Sequence, residues 1–361
     1  MAATCSNRTH FGYHDFDMTR AQTGYPKGCP VRGCQTALQG APYHGRTMPW
    51  CPEHGIRLHT NTFVYWNGPD AGFDPRTRNF VLEPDLALNL AINSKAKAET
   101  YRLGYETSED ALSWNVFVGL AKARRLREAA SALIGAPVAS EPALYLWGRR
   151  IDPFGVQVAE EFAPLKAVRD SLEKDIRRFK TEPDIMLMVN GGPVICVEAK
   201  FTSGNPMTYE SAAKDGEKPT ARAQVLERYL GRNSPIASAT VRVERLGEQF
   251  HSQLFRNIVF AAEMAAALPS RNQWYVVNLV SQTQWQRPSG STSRSARYSI
   301  ENPEAAVRSY LPDDEQGRFT FRTWEDLYTR VIQTDDSLRE LKSYMTDHSA
   351  HYQRAFDIPS D

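Results

Sequence analysis

The chain has 361 residues, a formal net charge of +1 and 24% charged residues. That length can bury a sizeable core, in one large domain plus a small one. The near-neutral balance excludes a nonspecific nucleic-acid coater, which would be far more basic, and with neither an apolar run of membrane-spanning length nor a signal-peptide pattern, a soluble cytoplasmic protein is expected.

The first pattern that carries chemistry is near the N-terminus. Cys29, Cys34, Cys51 and His54 form C-x4-C, a sixteen-residue spacer and C-x2-H, and three of the five cysteines fall in this stretch. Zn2+ takes thiolate and imidazole ligands in a tetrahedron, and paired knuckles at this spacing supply four. Pro30, Gly33, Pro52 and Gly55 flank the ligands, as tight knuckle turns require. His44 and His59 are rival fourth ligands, less well spaced than His54. A structural Zn2+ in a module over residues 1–75 is therefore expected, with a disulfide module as the alternative; Cys5 and Cys196 stand outside the scheme. Such a module can be a folding staple, a protein contact, or a DNA reader in which Arg32, Arg46 and Arg57 meet phosphates or guanines. Tyr43, Trp50, Tyr65 and Trp66 are read mainly as its core, with stacking on an unpaired base as the alternative.

From residue 76 onward the pattern is that of an α/β domain. Ser108 is an N-cap, followed by Glu109 and Asp110 in the first helical turn, where the dipole favours acids. Leu112, Val116 and Leu120 extend that helix to about Leu133, and Gly135-Ala136-Pro137 ends it. Ala143–Gly148 reads as a strand. A helix from about Pro164 to Phe179 follows, striped by Leu165, Val168, Leu172 and Ile176.

Next come two short apolar runs, Ile185–Val189 and Val194–Val197, joined by Asn190-Gly191-Gly192. Asn-Gly is a strong hairpin signal because both residues tolerate positive φ. Side chains at i and i+2 share a strand face, so Glu198 and Lys200 point the same way. Closing the hairpin brings Asp184 near Glu198 at the open end, where two carboxylates repel unless a cation or a proton lies between them. Asp184, Glu198 and the Ala199 carbonyl then offer a half-cage of oxygens for Mg2+. Such an ion lowers the pKa of a bound water and steadies a pentavalent phosphate; Lys200 can orient or deprotonate that water, or stabilise transition-state charge. Taken alone, Glu-x-Lys reads first as the surface ion pair of a solvated edge strand.

Residues 202–240 read as a loop around one short helix, Ala221–Leu230. An amphipathic helix, Glu248–Met264, carries Gln253 and Arg256 on a shared face, and Trp274–Val280 is a buried strand. Gln282–Ser299 reads as a polar contact loop, Arg318–Phe321 as a strand, and Trp324–Leu327 as a helix capped by Thr323. Arginine clusters at 124–125, 149–150, 177–178 and between 222 and 245 are candidate DNA contacts, or simply solvated faces.

Pro183-Asp184, thirteen residues, then Glu198-Ala199-Lys200 resembles the PD-(D/E)XK phosphodiesterase superfamily of restriction and recombination nucleases. The resemblance implies a core of helix, three-stranded meander, second helix and further strand: a restriction-endonuclease-like mixed α/β sheet flanked by helices. That domain would span 76–361, with insertions at about 152–181 and 202–245. It implies Mg2+-dependent cleavage of double-stranded DNA, in restriction or phage defence, with Asp184, Glu198 and Lys200 catalytic. It further implies an acid from the first core helix, for which Glu109 is the candidate and Glu160 and Glu161 compete, and a partner for the lysine in Gln253 or Arg256. The rival readings are a zinc-bearing nucleic-acid-binding protein with an inactive nuclease fold, an RNA or repair nuclease, and a structural zinc protein with a coincidental hairpin. One active site per chain makes a C2 homodimer the expected assembly for double-strand cleavage.

Overall fold

A computed structural model of the chain describes residues 15–17, 28–43, 46–59, 63–66, 74–93, 100–152, 154, 161–176, 180–206, 222–231, 233–246, 250–268, 273–282, 298–299 and 302–357. Packing divides it into two compact units, residues 1–119 with 335–361, and residues 120–334.

The first unit begins with a four-stranded antiparallel sheet, β1 (Gln39–Tyr43), β2 (Arg46–Cys51), β3 (Ile56–Leu58) and β4 (Phe63–Tyr65), in sequential order. Its core gathers Phe16, Val31, Ile56, Leu58, Phe63 and Tyr65 around Cys29, Cys34 and Cys51. Helix α1 spans Pro84–Asn93 and α2 spans Glu109–Lys122. The predicted cap is present, with Ser108 Oγ accepting from the Ala111 N–H at 3.2 Å. Asn115, buried on α2, ties down the preceding chain: its amide donates to the Asn79 carbonyl at 2.8 Å and its oxygen accepts from the Val81 N–H at 3.0 Å.

The single helix expected up to Leu133 is two helices. Arg124 adopts φ 57°; its N–H bonds the Ala121 carbonyl at 3.1 Å, and the Arg125 N–H reaches back to the Leu120 carbonyl at 2.8 Å. That is a Schellman stop with arginine in the left-handed position usually held by glycine, which is why the sequence does not announce it. Helix α3 (Leu126–Ile134) starts afresh, capped by the Glu141 carboxylate on the N–H groups of Leu126 and Arg127, and ends at Gly135 with φ 72°, as predicted.

The second unit is built on a six-stranded mixed sheet. Its strands are β5 (Ala143–Leu146), β6 (Arg149–Ile151), β7 (Ile185–Met188) and β8 (Val194–Lys200), then, beyond the short β9 (Asn205–Pro206), β10 (Trp274–Val280), and, beyond the short β11 (Tyr298–Ser299), β12 (Phe319–Thr323). The order is β12-β10-β8-β7-β5-β6. β5, β7 and β8 form an antiparallel meander, and β10 runs parallel to β8 and to β12. One face packs on helices α4 (Ala163–Leu172), α5 (Arg222–Leu230), α6 (Pro235–Thr240) and α7 (Ser252–Ala266), through Met186, Val194, Cys196 and Val276 of the sheet. On the other face Thr320 of β12 donates to the Leu133 carbonyl of α3 at 2.9 Å. Two short helices complete the unit, α8 (Glu304–Arg308) and α9 (Trp324–Leu327), the latter capped as expected by Thr323 Oγ1 on the Asp326 N–H. Helix, meander, α7 and β10 follow one another in the expected order.

Several local expectations are corrected. At the β7–β8 turn only Gly191 has positive φ, 67°, so Asn190 does not use its left-handed tolerance. β6 was not expected: Trp147 (φ 51°) and Gly148 (φ 72°) make a two-residue turn with both central residues left-handed, a type I′ geometry that Trp does not signal. Helix α4 stops at Leu172 rather than Phe179, because the Glu173 carboxylate turns away to accept from the Thr181 N–H and the Tyr229 hydroxyl; 177–179 lie outside the described residues. The stretch to Thr240 holds a second helix, α6. Unpredicted helices α10 (Arg339–Asp347) and α11 (Ala350–Phe356) return the chain to the first unit, burying Leu341, Tyr344, Met345, Tyr352 and Phe356.

Candidate active site

The β7–β8 hairpin pairs Ile185 with Val197. One step further sets Asp184 opposite Glu198, on the same face in an antiparallel pair. The Asp184 side chain accepts from the Ala199 N–H at 3.0 Å, and its carbonyl from the Trp147 N–H at 3.3 Å. The residues before it are gripped from α4: buried Arg169 donates Nε to the Thr181 carbonyl at 2.8 Å and lies 3.7 Å from the Glu182 carboxylate. The inserted helix thus holds the chain that delivers Asp184.

Glu198 and Lys200 point to the α7 face, as the i, i+2 spacing requires, with Lys200 Nζ 2.5 Å from Glu198 Oε1. Both are buried, at 4% and 7% exposure. A buried charge pair is tolerated only when its remaining polar atoms are engaged. Here the other Glu198 oxygen, Oε2, accepts from Asn257 Nδ2 of α7 at 2.8 Å. The Lys200 carbonyl accepts from the Ser281 N–H at 3.1 Å and from Trp324 Nε1 at 3.2 Å, and the Glu325 carboxylate ties Ser281 Oγ and the Gln282 N–H to α9. The lysine backbone is therefore locked from two neighbouring elements.

Asp184, Glu198 and Lys200 come together as the sequence suggested. Of the helix residues expected beside the lysine, Gln253 and Arg256 are half-buried, and it is Asn257 that reaches the carboxylate. The available signal was its i+4 spacing from Gln253, which puts both on one helix face. Glu161 is held by Arg169 Nη1 at 2.6 Å. Glu160 lies outside the described residues, and Glu109 opens α2 in the first unit.

The second candidate site is the Cys/His cluster. The ligand atoms of Cys29, Cys34, Cys51 and His54 all lie within 4.8 Å of one another, and all four residues are buried. His54 Nδ1 is 3.6 Å from both Cys29 Sγ and Cys51 Sγ, and Cys34 Sγ is 3.9 Å from Cys51 Sγ. Zn–S bonds of about 2.3 Å and Zn–N bonds of about 2.0–2.1 Å in a tetrahedron set S···S edges near 3.8 Å and S···N edges near 3.6 Å. The residues fit the ion. Gly33 (φ 78°) and Gly55 (φ 60°) make the knuckle turns, and the Gly55 N–H bonds the Cys51 carbonyl at 2.9 Å. The hydrogen bond between Cys29 and Cys51 raises one thiol and lowers the other, as a pair sharing a proton does; burial raises Cys34. No disulfide forms among the described cysteines, and no other group of three or more such ligands converges among the described residues.

The basic residues around the knuckles are partly committed. Arg57 is buried and stacks over Trp66 at 5.2 Å, and Arg32 donates to the Phe16 carbonyl at 3.1 Å; Arg46 is exposed. Trp50 meets Trp66 edge-on at 5.3 Å and Tyr65 is core, in line with the structural reading of these aromatics. His44, Arg177, Arg178, Arg232 and Cys5 lie outside the described residues. Among the described residues no helix is long and apolar enough to cross a membrane.

No curated protein and no solved structure is detectably similar to the chain. A family described as "restriction endonuclease associating with ARP" does match it, over residues 66–353, a span that includes α2, the whole meander, α7 and β10. The chain belongs to that restriction endonuclease family.

Proposed function

We propose that the protein is a Mg2+-dependent endodeoxyribonuclease of the PD-(D/E)XK type, cutting double-stranded DNA in restriction or phage defence. The observation that carries this reading is the buried Lys200–Glu198 pair at 2.5 Å with Asp184 opposite in register, on the meander of a chain from a restriction endonuclease family. Asp184, Glu198 and the Ala199 carbonyl would hold the Mg2+, hard oxygen donors suited to a hard cation. When bound, the ion supplies a water of lowered pKa and a counter-charge for the pentavalent phosphate.

This chain's residues do the rest. Asp184 and Glu198 would orient the scissile group through the cation they hold, at the carboxyl end of β8. Lys200 offers an ammonium to the charge that develops on the phosphate and steers the attacking water. Glu198 keeps that ammonium aimed, and the Ser281 and Trp324 contacts to the Lys200 carbonyl keep the strand from shifting. Residues 1–75 would act as a module around a structural Zn2+ held by Cys29, Cys34, Cys51 and His54, and residues 76–361 as the nuclease domain. A cytoplasmic homodimer, one site per strand, is the assembly that double-strand cleavage favours.

The test is plasmid cleavage with Mg2+ by the wild type, Asp184→Ala and Lys200→Ala. The wild type should cut and neither variant should. Cutting that survives both substitutions would remove the assignment of the site. Failure to cut any DNA, methylated or not, with cleavage of RNA instead, would move the substrate to RNA; retained binding without cleavage would point to an inactive nuclease fold.

A further inference from the structure

We propose that Asn257 is a positioning residue of the metal site, acting through Glu198; the inference rests on the nuclease reading above. Helix α7 buries Leu254, Phe255, Ile258, Val259, Ala261 and Ala262 against the sheet, and Asn257, 2% exposed, interrupts that apolar face. A buried amide in such a setting costs roughly 1–3 kcal/mol unless it is hydrogen-bonded. Asn257 Nδ2 donates to Glu198 Oε2 at 2.8 Å.

The geometry explains why that atom matters. Lys200 takes Glu198 Oε1 and Asn257 takes Oε2, so one donor pins each carboxylate oxygen and the group cannot rotate about its last bond. Each oxygen accepts along two lone-pair directions, and with one direction engaged on each, the orientation of the other is set before any cation arrives. The same sheet face continues in polar form: Asn278 of β10 is in register with Glu198 and accepts from Asn205 Nδ2 at 3.3 Å. The polar layer is thus confined to the catalytic end of β8 and β10, while Val194, Cys196 and Val276 on the same face are apolar.

Outer residues that orient a metal ligand typically matter by 10–100-fold in affinity or activity. The experiment is calorimetric titration of the full-length protein with Mn2+ alone, comparing wild type, Asp184→Ala, Asn257→Leu and Asn257→Asp, with thermal melting alongside. Asn257→Leu keeps the volume, suits the apolar surroundings and removes the donor; Asn257→Asp keeps the shape and sets a second carboxylate against Glu198. The expected result is Mn2+ affinity lowered roughly 10–100-fold in Asn257→Leu, with a lower melting temperature because Glu198 Oε2 is left buried without that donor. In Asn257→Asp the affinity loss should ease as pH falls and the new acid protonates. Unchanged Mn2+ affinity in both variants, with binding abolished by Asp184→Ala, would overturn the role of Asn257 and leave the metal site standing. Wild-type binding no tighter than that of Asp184→Ala would overturn the metal site and this inference with it. Because Asn257→Leu also loses stability, Asn257→Gln, which keeps the amide donor, separates the two causes: Mn2+ affinity nearer to wild type than in Asn257→Leu supports the role, and affinity as low as in Asn257→Leu overturns it.

Discussion

Lys200 and Glu198 are paired at 2.5 Å inside the protein, two residues apart on one strand. Ion pairs at that spacing on an exposed edge are common and weak. Here β8 lies between β7 and β10 and beneath α7, so both charges are out of water, and each is costly to strand. That burial turns a short motif into a pre-set constellation.

It also makes the pair a measurable unit. Lys200→Met leaves Glu198 buried without its cation and should destabilise the protein by about 3–5 kcal/mol. The double variant Lys200→Met/Glu198→Gln should regain most of that, because neither charge remains. Urea unfolding in the presence of a chelator measures both. A single variant as stable as the wild type would mean that the pair opens to solvent.

Glu161 separates from the acids of the metal site by its partner. Glu161 is bound to Arg169 at 2.6 Å and is read as a brace of the inserted helix. Glu161→Gln should therefore leave DNA cleavage within a few-fold of wild type. A loss of roughly 10-fold or more in a plasmid-nicking time course would instead place Glu161 among the acids of the metal site.

Zinc analysis of the purified protein should find about one ion per chain, the stoichiometry of a closed four-ligand site. Cys51→Ser should lose the ion and melt at lower temperature, since a structural ion's binding energy is folding energy. Full zinc content in Cys51→Ser would disprove the ligand set drawn from the cluster.

Acid should weaken the fold through His251, the buried residue that precedes α7. Burial pushes its imidazole down to about 4 from an ordinary 6.5. Between those values the unfolded chain binds a proton that the folded chain refuses, so stability falls as pH falls. The contribution is fully present above pH 6.5, is lost on descent to about 4, and levels off below; a shift of that size corresponds to roughly 3 kcal/mol. Urea midpoints at pH 7 and pH 4.5 should therefore drop less for His251→Gln than for wild type. Equal drops would mean that His251 protonates freely in the folded state.

The sequence by itself determined the features with short-range causes. Period-two alternation set Glu198 and Lys200 on one face, Gly191 supplied the turn that closes Asp184 onto them, the Cys/His spacing selected the four residues that could hold a metal, and Ser108 and Thr323 announced their helices. Tertiary structure decided what local rules leave open. Arg124 takes a left-handed stop that glycine would have signalled, and Trp147 a left-handed turn beside Gly148, because packing outweighs a local strain of order 1–3 kcal/mol. Asn257 looked like one more polar residue on an amphipathic helix until α7 was laid across β8. Which residue meets a carboxylate from 59 positions away depends on how a helix sits on a sheet, and no window of sequence contains that distance.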